Sequence, residues 1–524
     1  MAISATGWLP IAEARRSSIH LQPHLAWAGS CRFLLLTFST HSPFASLKSA
    51  SEHTRKLFAS IAVWCLSNMR PERLPLVAFT RSMNRALTAR DYSRPSIYIQ
   101  RSRKRHSAGS ESTKASLGDF QRRCFTTSHR LNLPIPAATA SRVNDLPLSG
   151  MLVVSLEQAI AGPFCTRQLA DLGARVIKIE RPGAGDFNRG HDQRVKGQCS
   201  HFVWTNRSKE SLALDLKRSK DLEALKKIVA KADIMVQNLA PGATERMGLG
   251  YGTLKEQHPG LIVCDISGYG STGPYRNKKA YDLLIQSESG FLSVTGSPNQ
   301  PAKSGISIAD ISAGTTAFNN ILAAIIQRGK TGKGCRLDVS MLESMAEWMS
   351  FPMYYASDGA PGPAMSGAEH ASIYPYGPFN TGEDGTVMLG MQNEREWVIF
   401  CNDVLHKPEL LDDERFTSTS LRSKNRTELR AIIENVFSSR DADTWLERLQ
   451  SAGIANAKVN DMAGLWAHPQ LKARDRWTRV DTPNGVIPAL KPAGAAEGSP
   501  VRMDPVPAVG EHNDSIFKEF GIDV

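Results

Sequence analysis

The chain has no closely paired cysteines. Its eight stand at positions 31, 65, 124, 165, 199, 264, 335 and 401, with no C-x-x-C among them. That scatter argues against a disulfide framework and against a zinc site, and it suits a reducing compartment. There is also no H-E-x-x-H and no G-x-S-x-G, so the usual metalloprotease and serine-hydrolase signatures are missing. The glycine-rich stretch 329–334, G-K-T-G-K-G, lacks the G-x-x-x-x-G-K-[ST] spacing, and A-G-P stands at 161–163 where a dinucleotide fold would carry G-x-G-x-x-G. Both gaps speak against nucleoside triphosphatases and dinucleotide oxidoreductases. Long apolar runs are missing near the N-terminus; the longest, around 57–66, is too short to span a bilayer.

Acidic residues are scarce in one region only. Residues 1–145 hold 21 Lys+Arg against 7 Asp+Glu, whereas the rest of the chain holds 42 against 44. The net charge of +12 therefore belongs to a leader, and a nearly neutral body offers no face for nucleic acid. The leader is rich in Arg and Ser, has no sustained hydrophobic period, and ends with R-R-C-F-T-T-S-H-R at 122–130. This composition is expected of a transit peptide for the mitochondrial matrix, with a disordered extension as the plain alternative and a cytoplasmic or peroxisomal protein as the other destinations. Met83 opens M-N-R-A-L-T-A-R, a better presequence start than Met1.

At 524 residues the chain is expected to hold two or three units. From residue 151 short apolar strands alternate with helical patterns. Strands are predicted at 152–156, 175–179, 212–216, 234–237 and 261–266, with helices at 164–172 and 221–232. Such alternation implies a parallel sheet covered by helices, with ligands bound beyond the carboxyl ends of the strands. Residues 365–465 read as a smaller unit, with a strand at 386–389 and amphipathic helices near 426–437 and 442–452.

One carboxylate, Asp310, sits inside the apolar run G-I-S-I-A-D-I-S-A-G at 305–314, ahead of a long helical pattern at 315–328. By itself this is an acid complementing a helix N-terminus. An ordered series of other motifs adds to that reading. These are A-G-P-F-C-T (161–166), L-G-A-R-V-I-K-I-E-R-P-G-A-G-D (172–186), N-R-S-K-E-S-L-A-L-D-L-K (206–217) and the run 232–250 containing V-Q-N-L-A-P-G. They continue with G-Y-G-S-T-G-P (268–274), Y-D-L-L-I-Q-S-E-S-G (281–290), T-G-K-G-C-R-L-D-V-S (331–340) and G-E-H-N-D-S-I-F-K-E-F-G-I (510–522).

Together these motifs resemble the class III CoA-transferases, the CaiB/BaiF type. The resemblance implies an α/β fold: a Rossmann-like parallel sheet in a large domain (146–364, with a C-terminal return over 466–524), a smaller α+β domain at 365–465, and an interlocked homodimer. It implies Asp310 as the nucleophile that carries CoA as an aspartyl thioester, with no metal and no permanently bound cofactor, coenzyme A thioester being substrate. The expected CoA contacts fall on Ile160, Ala161, Arg181, Leu214, Asp215, Leu216, Lys217, Asn238, Leu239, Ala240, Arg246, Lys279 and Tyr281. Asp282 is expected beside the nucleophile, orienting it or starting a helix. Arg181, Lys217, Arg246 and Lys279 would meet CoA phosphates. An apolar wall of Ile308 and Ile311 would dehydrate Asp310, a helix N-terminus would keep it ionised, and Gly305, Ala309 and Gly314 would let the thioester approach.

Similarity around 367–379 and 391–397 points to members acting on short dicarboxylates, itaconate before glutarate, with succinyl-CoA as donor. His370 or Arg395 would hold the distal carboxylate, or play a structural part. The rival within the same fold is a 2-methylacyl-CoA racemase. That chemistry uses a His in a G-H-D triplet, and Ala280-Tyr281-Asp282 stands here instead. A CoA-binding scaffold without activity is the third alternative.

Overall fold

The computed structural model describes residues 23–28, 31–36, 146–383 and 385–523. The chain divides into two compact units, 1–125 and 126–524. In the first, Pro23–Ala28 and Cys31–Leu36 pair as an antiparallel hairpin. The rest of the basic leader, including the 122–130 junction, lies outside the described residues.

In the second unit six apolar runs form one sheet: β1 (Leu152–Leu156), β2 (Arg175–Glu180), β3 (Glu210–Ala213), β4 (Ile234–Gln237), β5 (Ile262–Ser267) and β6 (Arg336–Ser340). Every pairing is parallel and the order is β6-β5-β4-β1-β2-β3. This is the doubly wound order, and it places the topological switch between β1 and β4, where bound ligands are expected. β3 begins two residues earlier than predicted and stops at Ala213. Asp215 then folds the chain into a turn by accepting the Lys217 N–H at 3.2 Å.

Alternation along the strands buries both sheet faces. Val153, Val176, Val236 and Cys264 point to one side, against α1 (Ala161–Asp171) and later the long helix; Val154, Ile177, Met235 and Val263 point to the other, against α2 (Ser219–Val229) and the C-terminal helix Asn513–Phe520. Each such aliphatic side chain contributes about 1.5–3 kcal/mol of burial. Helix α3 (Asp282–Glu288), α4 (Ile308–Thr331) and α5 (Met341–Trp348) complete the first layer.

Helix α4 packs its Ala309, Ala313, Ala317, Ile321 and Ala324 stripe into the core, a one-face spacing of four and finally three. Its small residues serve this packing. A Cβ at Gly314 would come within 2.7 Å of the Ala161 carbonyl and 3.1 Å of the Phe164 ring. Gly314 therefore brings α4 onto the start of α1, and Ala309 is buried in the core, so neither faces the open space expected of it. Gly305 alone has open space around its Cα.

Farther along, β7 (Tyr376–Asn380), β8 (Thr386–Gly390) and β9 (Ala455–Lys458) form an antiparallel sheet, joined by α6 (Arg426–Phe437) and α7 (Ala442–Ser451). They share a second core, in which Trp445 stacks on Phe437 at 4.4 Å beside Tyr374, Phe379 and Phe400.

Candidate active site

Asp310 is the third residue of α4, so its backbone lies in the helix's first turn. The cap of that turn comes from elsewhere. Asp282, the first residue of α3, accepts the Ala309 N–H at 2.8 Å and the Asp310 N–H at 3.4 Å through Oδ1. Its Oδ2 takes a bond from Gln286 at 2.6 Å, and Gln286 in turn accepts the Ser304 N–H at 2.9 Å. Asp282 thus starts one helix and caps the first turn of α4, beside Asp310.

This arrangement reverses one expectation. Burial, then the neighbouring Asp282 charge, push the Asp310 carboxyl up to about 7, against a lowering bond from the Ala161 N–H. Asp282 occupies the N–H groups that would have stabilised an ionised Asp310, so the helix terminus does not keep it fully charged. Ile308 packs against the core and Ile311 is half-buried. A carboxylate of this basicity is a stronger nucleophile than a surface aspartate. With Asp310 as the attacking group, only its ionised form would react, and catalytic efficiency should rise with pH through about 7. Asp282→Asn removes the raising charge and should move that limb to lower pH. A pH–rate profile of both proteins checks this; a wild-type limb near the ordinary aspartate value would contradict it.

The donor on the other side is the N-terminus of α1. Ile160 and Ala161 follow β1 and are buried, so they can offer a ligand backbone atoms but not side chains. Asn238, just past β4, accepts the Gln158 N–H at 2.8 Å and donates to the Gln158 carbonyl at 2.9 Å. Its amide therefore ties the two sides of the switch point together, and this bracing role occupies both ends of the group.

The other expected CoA residues lie at carboxyl ends of strands. Arg181 follows β2, residues 214–217 follow β3, and 238–240 follow β4. Leu214 is buried in the core, and Leu216 and Leu239 pack against it, whereas Arg181, Lys217 and Ala240 are exposed. Arg246 is exposed and reaches the Pro241 carbonyl at 3.5 Å. Lys279 and Tyr281 are exposed on the approach to α3, Tyr281 to 67%. No ion pair engages Arg181, Lys217, Arg246 or Lys279 among the described residues, which leaves four cations available to an anionic ligand. Lys278 is engaged: it pairs with Glu288 and lies 4.4 Å from the Tyr275 ring centroid.

His370 and Arg395 are not brought to Asp310 by any described contact. His370 stacks on Tyr376 at 5.2 Å, and its Nδ1 accepts the Ser372 and Ile373 N–H groups at 3.2 and 3.0 Å. It shapes a turn. Arg395 is exposed in the helix Glu394–Ile399. A cavity of about 660 Å³ near His370 is lined by Pro298, Tyr355, Met365, Glu369, Ser372 and Arg426, among others.

Beneath the site lies a buried ionic cluster that motif reading passed over. Glu157 Oε1 is 2.7 Å from Lys209 Nζ and 3.5 Å from Lys178 Nζ, and Thr166 donates to its Oε2 at 2.6 Å. Lys178 also meets Asp186 at 2.9 Å. Burial would raise the Glu157 carboxyl, but Lys209 and Lys178 outweigh it and hold it below the ordinary value. The signal was present: Lys178 interrupts the apolar strand V-I-K-I-E, a charge where a buried parallel strand should have none. Asp192, Cys199 and His201 also come together with ligand atoms within 4.8 Å. Asp192 is spent on the start of the helix Ser200–Asn206, accepting the Ser200 N–H at 3.0 Å and its hydroxyl at 2.7 Å.

The sheet is doubly wound, Asp310 lies by the helix N-terminus that follows β1, and Arg181, Lys217 and Arg246 follow the carboxyl ends of neighbouring strands. The chain belongs to CoA-transferase family III, whose model matches residues 148–513, and it is a CoA-transferase. Among its relatives are human succinyl-CoA:glutarate CoA-transferase, 34% identical with 72% of this chain and 86% of that one covered, and acetyl-CoA:oxalate CoA-transferase of Acetobacter aceti, 33% identical with 71% and 96% covered. A CaiB/BaiF family protein from Brucella suis superposes with a TM-score of 0.65 at 33% identity, over 72% of this chain and 99% of that one.

Proposed function

We propose that the enzyme moves CoA from succinyl-CoA to a short dicarboxylate, with Asp310 as the covalent carrier. The observation that carries this is the placing of Asp310, a carboxyl group raised to about 7 and aimed at a helix N-terminus at the switch point. An Asp310 oxygen attacks the thioester carbonyl, the C–S bond breaks, and a mixed anhydride and CoA thiolate result. The thiolate attacks the aspartyl carbonyl and expels succinate, leaving an aspartyl-CoA thioester. The acceptor carboxylate and the released thiolate repeat the two steps in reverse order of partners, restoring Asp310. No proton or electron is gained or lost overall.

Relatives named for glutarate, mesaconate and citramalate support a dicarboxylate acceptor. Glutarate and itaconate are the acids to try first. Arg181, Lys217, Arg246 and Lys279 would bind the CoA phosphates, Tyr281 the edge of the nucleotide, and backbone atoms of 160–161, 214–217 and 238–240 its polar groups. Purified enzyme with succinyl-CoA and a panel of acids should form one dicarboxyl-CoA fastest, in step with succinate release. Hydrolysis alone, or transfer only to monocarboxylates, would overturn the reading.

The exposed apolar run Trp348, Phe351, Met353, Tyr354 and Tyr355 supports a homodimer, since a patch of this kind normally meets a partner. A sedimenting mass equal to one 57.4 kDa chain would refute it. The basic leader supports delivery to the mitochondrial matrix, which an import assay with and without residues 1–145 would check.

A further inference from the structure

The chain leaves β1 through a constrained turn in which Ala159 adopts φ 62°, a left-handed conformation that alanine does not favour. Side chains from the end of β2 hold it there. Asp186 Oδ1 accepts the Ala159 N–H at 3.2 Å, and Asn188 Nδ2 donates to the Ala159 carbonyl at 3.0 Å. These two are fixed in turn. Asp186 Oδ1 also takes the Asn188 N–H at 3.0 Å, Lys178 Nζ meets its Oδ2 at 2.9 Å, and Glu180 accepts the Asp186 N–H at 2.8 Å. On the other side Asn238 brackets Gln158 as described above. Two residues beyond Ala159 is Ala161, which packs against α4 one turn past Asp310, its carbonyl 2.7 Å from where a Cβ at Gly314 would sit, and whose N–H lowers the Asp310 pKa.

We propose that Asp186 and Asn188 are positioning residues for CoA transfer: by locking Ala159 in the left-handed region they aim the Ala161 N–H at the Asp310 carboxyl. This rests on the reading of Asp310 as nucleophile. When CoA thiolate adds to the aspartyl carbonyl, the C=O electron pair moves onto an Asp310 oxygen, and collapse then expels the acid. A donor already aimed at that oxygen lowers the barrier of both steps without reorganising. Turning the peptide at Ala159 would swing the donor away while leaving the expected CoA contacts on the other strands, Arg181, 214–217 and 238–240, in place.

The test compares wild type, Asn188→Ala, Ala159→Val and the double variant Asn188→Ala/Ala159→Gly. The assay uses succinyl-CoA and the best acid acceptor. Asn188→Ala should lower kcat roughly tenfold, less than the ~10²–10³ of a donor removed outright because the Ala161 N–H is loosened and not lost, with KM for acyl-CoA little changed and the acid limb of the pH profile moved to higher pH. Ala159→Val, at a half-buried position, should act in the same direction because a β-branched residue resists positive φ. Adding Ala159→Gly to Asn188→Ala should recover most of kcat, since glycine takes that conformation freely. A merely structural role would lower Tm without moving the limb, and glycine would not restore activity. Wild-type kcat and limb in Asn188→Ala, or a loss that glycine deepens, would overturn the inference. If Asp310→Ala were active, the nucleophile reading itself would fall; if it is inert and Asn188→Ala is normal, only the positioning role falls.

Discussion

Asp310→Ala should abolish CoA transfer, lowering kcat by roughly four orders of magnitude or more, because in the proposed mechanism Asp310 carries the thioester. The fold should survive the change. Asp310 is not part of the apolar stripe that packs α4; that is made by Ala309, Ala313 and Ala317, which point into the core. Its charge is also held at a cost to the folded state, since burial and Asp282 both disfavour ionisation. Linkage gives that cost a pH dependence. The folded group binds its proton more tightly than the unfolded one, so stability relative to a non-titrating Asn is equal in acid and falls as pH rises to about 7. Asp310→Asn should accordingly be inert and, above neutrality, at least as stable as wild type. Transfer by Asp310→Ala at the normal rate would remove the nucleophile from the account.

Glu157→Gln carries the largest expected effect on stability. Its carboxylate is fully buried with Lys178 and Lys209, whose side chains are also fully buried. Neutralising it removes the carboxylate in contact with Lys209 and leaves Lys178 with Asp186 and the more distant Glu180, and breaking such a pair from one side costs about 3–5 kcal/mol. Replacing both partners together, Glu157→Leu with Lys209→Met, should recover much of that loss, because two uncharged groups carry no desolvation penalty. Denaturant unfolding of the three proteins measures this. Equal losses for the single and double variants would show that Glu157 acts through shape and not through charge.

The sheet was legible because its strands are continuous apolar runs bounded by turns. The predicted limits of β1 and β4, 152–156 and 234–237, match the structure, and the doubly wound order explains why Ile160, Arg181, Lys217 and Asn238 gather along one edge although far apart in sequence. Asp310 could be singled out only through the ordered motifs, since a first-turn acid has an ordinary explanation. What escaped sequence reading is non-local. Asp282 caps a helix that begins 26 residues later, and nothing local distinguishes that from capping its own helix. The same holds for Asp186 and Ala159, whose bond spans 27 residues. An alanine gives no sequence sign of a positive φ. The basicity of Asp310 was misjudged for the same reason, because it depends on which carboxylate wins the helix terminus.

The central claim is that CoA is carried on Asp310, and trapping the intermediate tests it most directly. Enzyme incubated with succinyl-CoA and no acceptor is treated with hydroxylamine, digested and mapped by mass spectrometry. The account predicts a hydroxamate on Asp310 alone, formed only after exposure to acyl-CoA, with loss of activity in proportion. An unmodified Asp310 in inactivated enzyme, or modification at another carboxylate, would contradict it.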